Sequence, residues 1–184
     1  NIGYVPRSTT CSIANVSFFV DVSNYPESTK PKTITLKKGI VCTSDSFNAT
    51  NYIFSIPDDI TVPVVDNIAS FNSINICEGS LLKSSFTVDK SQPDQRFILQ
   101  NSNVDTSTIR VLVKSRNSEN QISEKYSQVS NIFDIDSNSK IYLLQEVEDE
   151  RYELIFGDGN FGKNLYNSSS VSYTHLTLPT ILLV

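Results

Sequence analysis

The chain has 184 residues, with 15 Lys and Arg against 20 Asp and Glu and a formal net charge of -5. That length supports one domain or two small ones without help from metals or disulfides. Its scattered basic residues exclude the basic face of a nucleic-acid binder and the basic helix of a membrane-surface protein, and no apolar run approaches the roughly 20 residues of a spanning helix.

The absence of methionine in so long a chain points to an internal fragment whose natural start lies upstream. Cys11, Cys42 and Cys77 are odd in number and form no CxxC or Cys/His ligand spacing, so free thiols are expected. The Asn-x-Ser/Thr sequons at Asn15, Asn48 and Asn167 are expected by chance in so Asn- and Ser-rich a chain.

Along the chain, short alternating runs separated by turn residues predict half-buried strands. Val16, Phe18, Val20 and Val22 share one face of a first strand, closed by Tyr25-Pro26. Ile34 and Leu36 alternate with threonine, and Lys37-Lys38-Gly39 before Ile40-Val41-Cys42 predicts a hairpin, because glycine supplies positive φ. Tyr52, Phe54 and Ile56 make a strand that Pro57-Asp58-Asp59 ends. Ile74 with Ile76, then Glu78-Gly79, then Phe86 with Val88, complete a first β unit over residues 1–90. The polar, proline-containing stretch 89–95 reads as the boundary.

The second unit, residues 91–170, starts with Phe97-Ile98-Leu99 and continues through Ile109, Val111 and Val113. Residues 114–140 are polar, with Tyr126, Val129, Ile132, Phe133 and Ile135 as isolated anchors, and their pattern settles neither strand nor helix. Residues 141–144 and 152–156 then flank an acidic tip, which predicts an antiparallel hairpin ending in Phe156-Gly157-Asp158-Gly159. The expected fold is mainly β: two small antiparallel units with little helix.

Candidate chemistry is sparse. Glu146, Glu148, Asp149 and Glu150 lack the alternating oxygen ligands and central glycine of a calcium loop, so they read as a solvated hairpin tip. Gly157 through Gly162-Lys163 has the spacing of a phosphate loop, but Asn164 stands where the magnesium-binding hydroxyl belongs. The expected role of Phe156, Gly157, Asp158, Gly159, Gly162 and Lys163 is therefore structural. No catalytic, cofactor-binding or metal-binding residue is expected.

Residues 171–184, VSYTHLTLPTILLV, contain no charged residue and the only histidine, His175. Residues 171–180 resemble the conceptual translation of a transposase-based sequencing adapter, and 171–184 are read as derived from it. A genuine terminal strand, packing Leu176, Leu178 and residues 181–184, is the alternative. On the adapter reading His175 is neither base nor ligand, and a Ser/His/Asp or Cys/His arrangement has no natural histidine to use.

Two segments carry a family resemblance: NSNVDTSTIRVLV at residues 101–113 and KIYLLQEVEDERYELIFGDGNFGKNL at residues 140–165. They resemble the gene-six baseplate wedge proteins of T-even-like contractile-tailed phages, within the wider baseplate J-like family, whose hairpin reads Y-E-L-x-F-G-D-G-x-x-G-K. GYVPRSTT at residues 3–10 and ITLKKG at residues 34–39 resemble earlier stretches of that family. The resemblance implies a non-enzymatic virion component of the tail baseplate. It would contact other wedge subunits and copies of itself, with no nucleic acid, membrane, small-molecule substrate or cofactor. A surface carbohydrate-binding β module is the alternative, and a tail-associated hydrolase a third.

Overall fold

The computed structural model describes residues 8–45, 51–115, 123–129, 133 and 135–178. Residues 3–7, Asn48, Ile132 and 181–184, on which expectations were placed, lie outside these. The described residues form β1 (Ile13–Asp21), β2 (Thr33–Leu36), β3 (Gly39–Thr43), β4 (Ile53–Ile56), β5 (Ile60–Val65), β6 (Ile68–Glu78), β7 (Ser80–Thr87), β8 (Val104–Lys114), β9 (Ser123–Gln128), β10 (Ile141–Glu146), β11 (Tyr152–Phe156) and β12 (Ser170–Thr177). A 3-10 turn at Glu148–Glu150 is the helical element among them, so the fold is mainly β.

Contacts divide the described residues into a unit of residues 11–81 and a unit of residues 8–10 with 82–178. The first unit is thus an insertion in the chain of the second, and the division falls at 81/82, not at the expected 90/91. The expected boundary is a turn within the second unit: Gln95 donates from Nε2 to the Thr87 carbonyl at 2.7 Å and accepts from the Asp89 N–H at 2.8 Å.

In the inserted unit, β6 is the centre. It pairs antiparallel with β1 along one side and with β5 and β4 on the other, and β2 and β3 are the outer strands beyond β5 and β4. Ile56, Ala69, Phe71, Ile74 and Ile76 form its buried core, flanked by Val16, Val20, Ile34, Leu36 and Phe54. Phe18 stacks on Phe71 with ring centroids 4.8 Å apart.

The Lys37-Lys38-Gly39 turn exists, with Gly39 at φ +118°, but it does not make a hairpin. β2 pairs with β5 and β3 with β4. The turn is drawn away by Asp59, whose carboxylate accepts the Lys38 N–H at 2.8 Å and the Lys37 Nζ at 3.0 Å. The tight hairpin in this unit joins β5 to β6 through Asp66 and Asn67, both at positive φ, with Val65 opposite Ile68. Asp and Asn tolerate that conformation better than most residues.

The second unit is a six-stranded sheet in the order β11-β10-β9-β8-β12-β7. Its pairs are antiparallel where β8 meets β9 and β12 and where β10 meets β11; β9 and β10 run parallel. Leu99, Val104, Val111, Leu154, Val171 and Tyr173 are among its fully buried core residues. Residues 97–99 lie along the open side of β11, where the Leu99 N–H donates to the Tyr152 carbonyl at 2.7 Å and the Leu154 N–H to the Phe97 carbonyl at 3.0 Å.

Candidate functional site

The β10–β11 hairpin carries the FGDG segment at its end. Tyr142 pairs with Phe156 and Glu146 with Tyr152, so β11 delivers Phe156 to the edge of the core. There its ring meets Phe97 and Tyr126 edge-on, at 5.5 and 5.8 Å between centroids. The chain then doubles back so tightly that a Cβ on Gly157 would stand 2.2 Å from the Gly162 carbonyl carbon. Gly162 adopts φ +83°, and a Cβ there would meet the Ile141 side chain at 2.7 Å. Gly159 needs only its backbone freedom, at φ +97° with its nearest neighbour 3.7 Å away.

Asp158 organises the turn between these glycines. Its Oδ1 accepts the backbone N–H groups of Asn160 and Phe161, each at 2.8 Å. Those donors, Phe161 first, hold its carboxyl below the usual aspartate range because they stabilise the ionised form. The Gly159 N–H donates to the Gly162 carbonyl at 3.0 Å, and the Gly162 N–H to the Asp136 carbonyl at 2.9 Å.

Lys163 is anchored at both ends. Its N–H donates to the Ser139 carbonyl at 2.8 Å, and its Nζ donates to Glu124 Oε2 at 2.8 Å. Lys140 holds the other oxygen of Glu124 at 3.0 Å. The Lys163 ammonium, then that of Lys140, keeps the Glu124 carboxyl below its ordinary range, while Glu124 pushes Lys163 up. Asp136 builds the adjoining turn by accepting Ser139 Oγ at 2.6 Å and the Asn138 N–H at 3.0 Å.

All six predicted motif residues therefore meet in one loop. Sequence reasoning missed the residues that hold it: Glu124, Asp136, Ser139 and Ile141. Glu124 stands 39 positions from Lys163, and nothing in the local pattern of residues 114–140 marks it. A phosphate cradle needs free backbone N–H groups and a free lysine; here the N–H groups of residues 159–163 and the lysine are spent within the protein.

Two hollows adjoin the loop. One, of about 400 Å³, is open and carries Asp89, Lys90, Glu153 and Asp158 on its walls. Each charge has an internal partner: Asp89 with Ser91, Lys90 with Asn164, Glu153 with Arg96, and Asp158 with its own turn. The other, of about 180 Å³, is apolar and lined by Ile141, Leu143, Ile155 and Phe161 among others. Leu143 and Phe161 are 48% and 64% exposed at its rim. The acidic hairpin tip is solvated at Glu148, Asp149 and Glu150, and among the described residues no cluster of three or more His, Cys, Asp or Glu is placed to hold a metal ion.

No protein-family model matches the chain, and no characterised protein matches it.

Proposed function

We propose that this chain is part of a tail baseplate wedge of a contractile-tailed phage, a scaffold that joins wedges into a ring through contacts with other wedge subunits and with copies of itself. The resemblance of residues 101–113 and 140–165 to that family motivates the reading. The observation that carries it is the self-contained FGDG loop. Its glycines allow two backbone segments to touch, its aspartate caps its own turn, and its lysine is held by Glu124. Such a loop stiffens the end of a hairpin and spends the N–H groups of residues 159–163 and its lysine within the protein.

The apolar hollow beside it supports the same reading. Leu143 and Phe161 expose hydrophobic surface around a cavity of about 180 Å³, and contiguous apolar surface beside a rigid element marks protein contact sites. The test is the genomic neighbourhood of the full-length reading frame. Adjacent genes for sheath, hub or other baseplate components are expected; a metabolic operon would overturn the assignment.

A further inference from the structure

The inserted unit leaves one long strand edge open. β1 pairs with β6 on one side, and no strand among the described residues lies on its other side. Which main-chain groups face outward follows from the bonds that bracket β1. The Glu78 N–H donates to the Ser12 carbonyl and the Val22 N–H to the Asn67 carbonyl, each at 2.8 Å, so the even-numbered residues of β1 bond to β6. The register shift opposite Ser17 adds its extra residue to β6, and β1 keeps this parity throughout. The N–H and C=O groups of Ile13, Asn15, Ser17, Phe19 and Asp21 therefore point away from the sheet.

The other edges among the described residues are guarded in the ways that keep sheets from joining. β2 is four residues long, with Pro31-Lys32 before it and Lys37-Lys38 after it. β3 is five residues long and carries a register shift at Ile40/Cys42. β7 has Lys83 exposed in its middle, and residues 97–99 lie along β11. β1 has nine residues with no lysine, arginine or proline, and its one charge, Asp21, stands at the end. No residue of β1 is buried, and Phe18 and Phe19 are 39% and 67% exposed. A long, apolar, unguarded edge is where another strand adds.

We propose that β1 pairs with β1 of a second copy of this chain, antiparallel about a two-fold axis at Ser17. The strand is self-complementary in that register. Ala14 lies opposite Val20 of the second copy and Val16 opposite its Phe18, on the face where Phe18 already stacks on Phe71. These are the close, non-hydrogen-bonded pairs, in which facing side chains touch. The outward main-chain groups meet in the alternate pairs, Ser17 with Ser17, Asn15 with Phe19 and Ile13 with Asp21. The two Asp21 carboxylates then stand at opposite ends, whereas a parallel pairing in register would set them side by side. Each copy gives the same edge, so the contact closes as a dimer and does not propagate. The proposal rests on the scaffold reading for its choice of a second copy as occupant, and gives that self-contact a place.

Sedimentation of the 184-residue chain should show a monomer at roughly 1 μM and a dimer at roughly 200 μM, because one nine-residue edge is narrow beside a stable interface. Ser17→Asp keeps an oxygen for the Ser73 N–H, which Ser17 Oγ accepts at 2.9 Å, but sets two carboxylates opposite each other. It should weaken dimerisation about tenfold or more. In a Cys42→Ser background, Ser17→Cys should give a disulfide-linked dimer under mild oxidation, whereas Thr35→Cys on β2 should not. A chain that stays monomeric, dimerisation untouched by Ser17→Asp, or equal cross-linking at the two positions would overturn the proposal. A monomer encoded among baseplate genes would remove this contact and leave the scaffold reading standing. A dimer cross-linked by Ser17→Cys but encoded in a metabolic operon would do the reverse.

Discussion

Gly157 and Gly159 lie two positions apart and yet face different demands. Substituting alanine at Gly157 drives a Cβ into the Gly162 backbone, and backbone cannot step aside as a flexible side chain can. We expect Gly157→Ala to cost on the order of 3 kcal/mol in chemical denaturation. Gly159→Ala meets no atom closer than 3.7 Å and should cost only the left-handed conformation, about 1–2 kcal/mol. At Asp158, Asn keeps the accepting oxygen and Ala removes it. Amide exchange at Asn160 and Phe161 should therefore accelerate in Asp158→Ala and stay close to the parent in Asp158→Asn. The Asp158 carboxyl is depressed in the fold, so its contribution is present above the unfolded value of 3.8 and is lost as pH falls through the folded one. His175 behaves differently. Burial lowers its folded pKa from 6.5, so the unfolded chain takes up the proton first and stability falls as pH drops below 6.5. The thermal midpoint should decline as pH falls through the unfolded value of 6.5, and His175→Leu should flatten that decline. The six motif residues were marked in the sequence by the glycine spacing together with the family resemblance. Their partners were not, because Glu124, Asp136 and Ser139 come from a polar stretch whose structure depends on pairing with distant strands.

At the level of elements, alternation located the strands that bury one face. β8 shows it most clearly, with Ile109, Val111 and Val113 inside. β5 escaped because Pro63 counts against a strand and Pro57-Asp58-Asp59 reads only as the end of β4 before it. The structure accommodates Pro63 because the neighbouring Val64 N–H donates to Lys32 at 3.0 Å. The missing N–H of Pro63 thus falls on the side where β5 has no partner until Val64 meets Ala69. β9 escaped for the opposite reason: its sequence is polar apart from Tyr126, and β8 and β10 hold it. The Asp66-Asn67 turn carried a readable signal between two apolar runs. Asp66→Gly should leave stability near the parent, whereas Asp66→Val, forced to φ near +50°, should cost about 1–2 kcal/mol. In β11, Leu154 is 1% exposed, and Leu154→Ala should cost about 2–5 kcal/mol, the usual range for a buried leucine. Urea denaturation of each variant reads these values.

On the scale of the whole molecule, alternating runs between turn residues were enough to give a mainly β chain, but not the insertion of one unit into another. That arrangement follows from residues 8–10 belonging with the second unit, where the Ser8 and Thr106 hydroxyls are 2.7 Å apart across 98 positions. No local pattern announces such a contact. None of the three cysteines forms a disulfide, with Cys42 exposed and Cys11 and Cys77 buried. A thiol reagent should therefore label Cys42 rapidly in the native protein and reach Cys11 and Cys77 only with unfolding. The scaffold reading turns on where the molecule resides. Antibodies raised against this chain, applied in immuno-electron microscopy to particles from the host carrying the gene, test it most directly. Label around the end of a contractile tail, distal to the head, is the result expected, and particles with intact baseplates that carry no label would contradict the account.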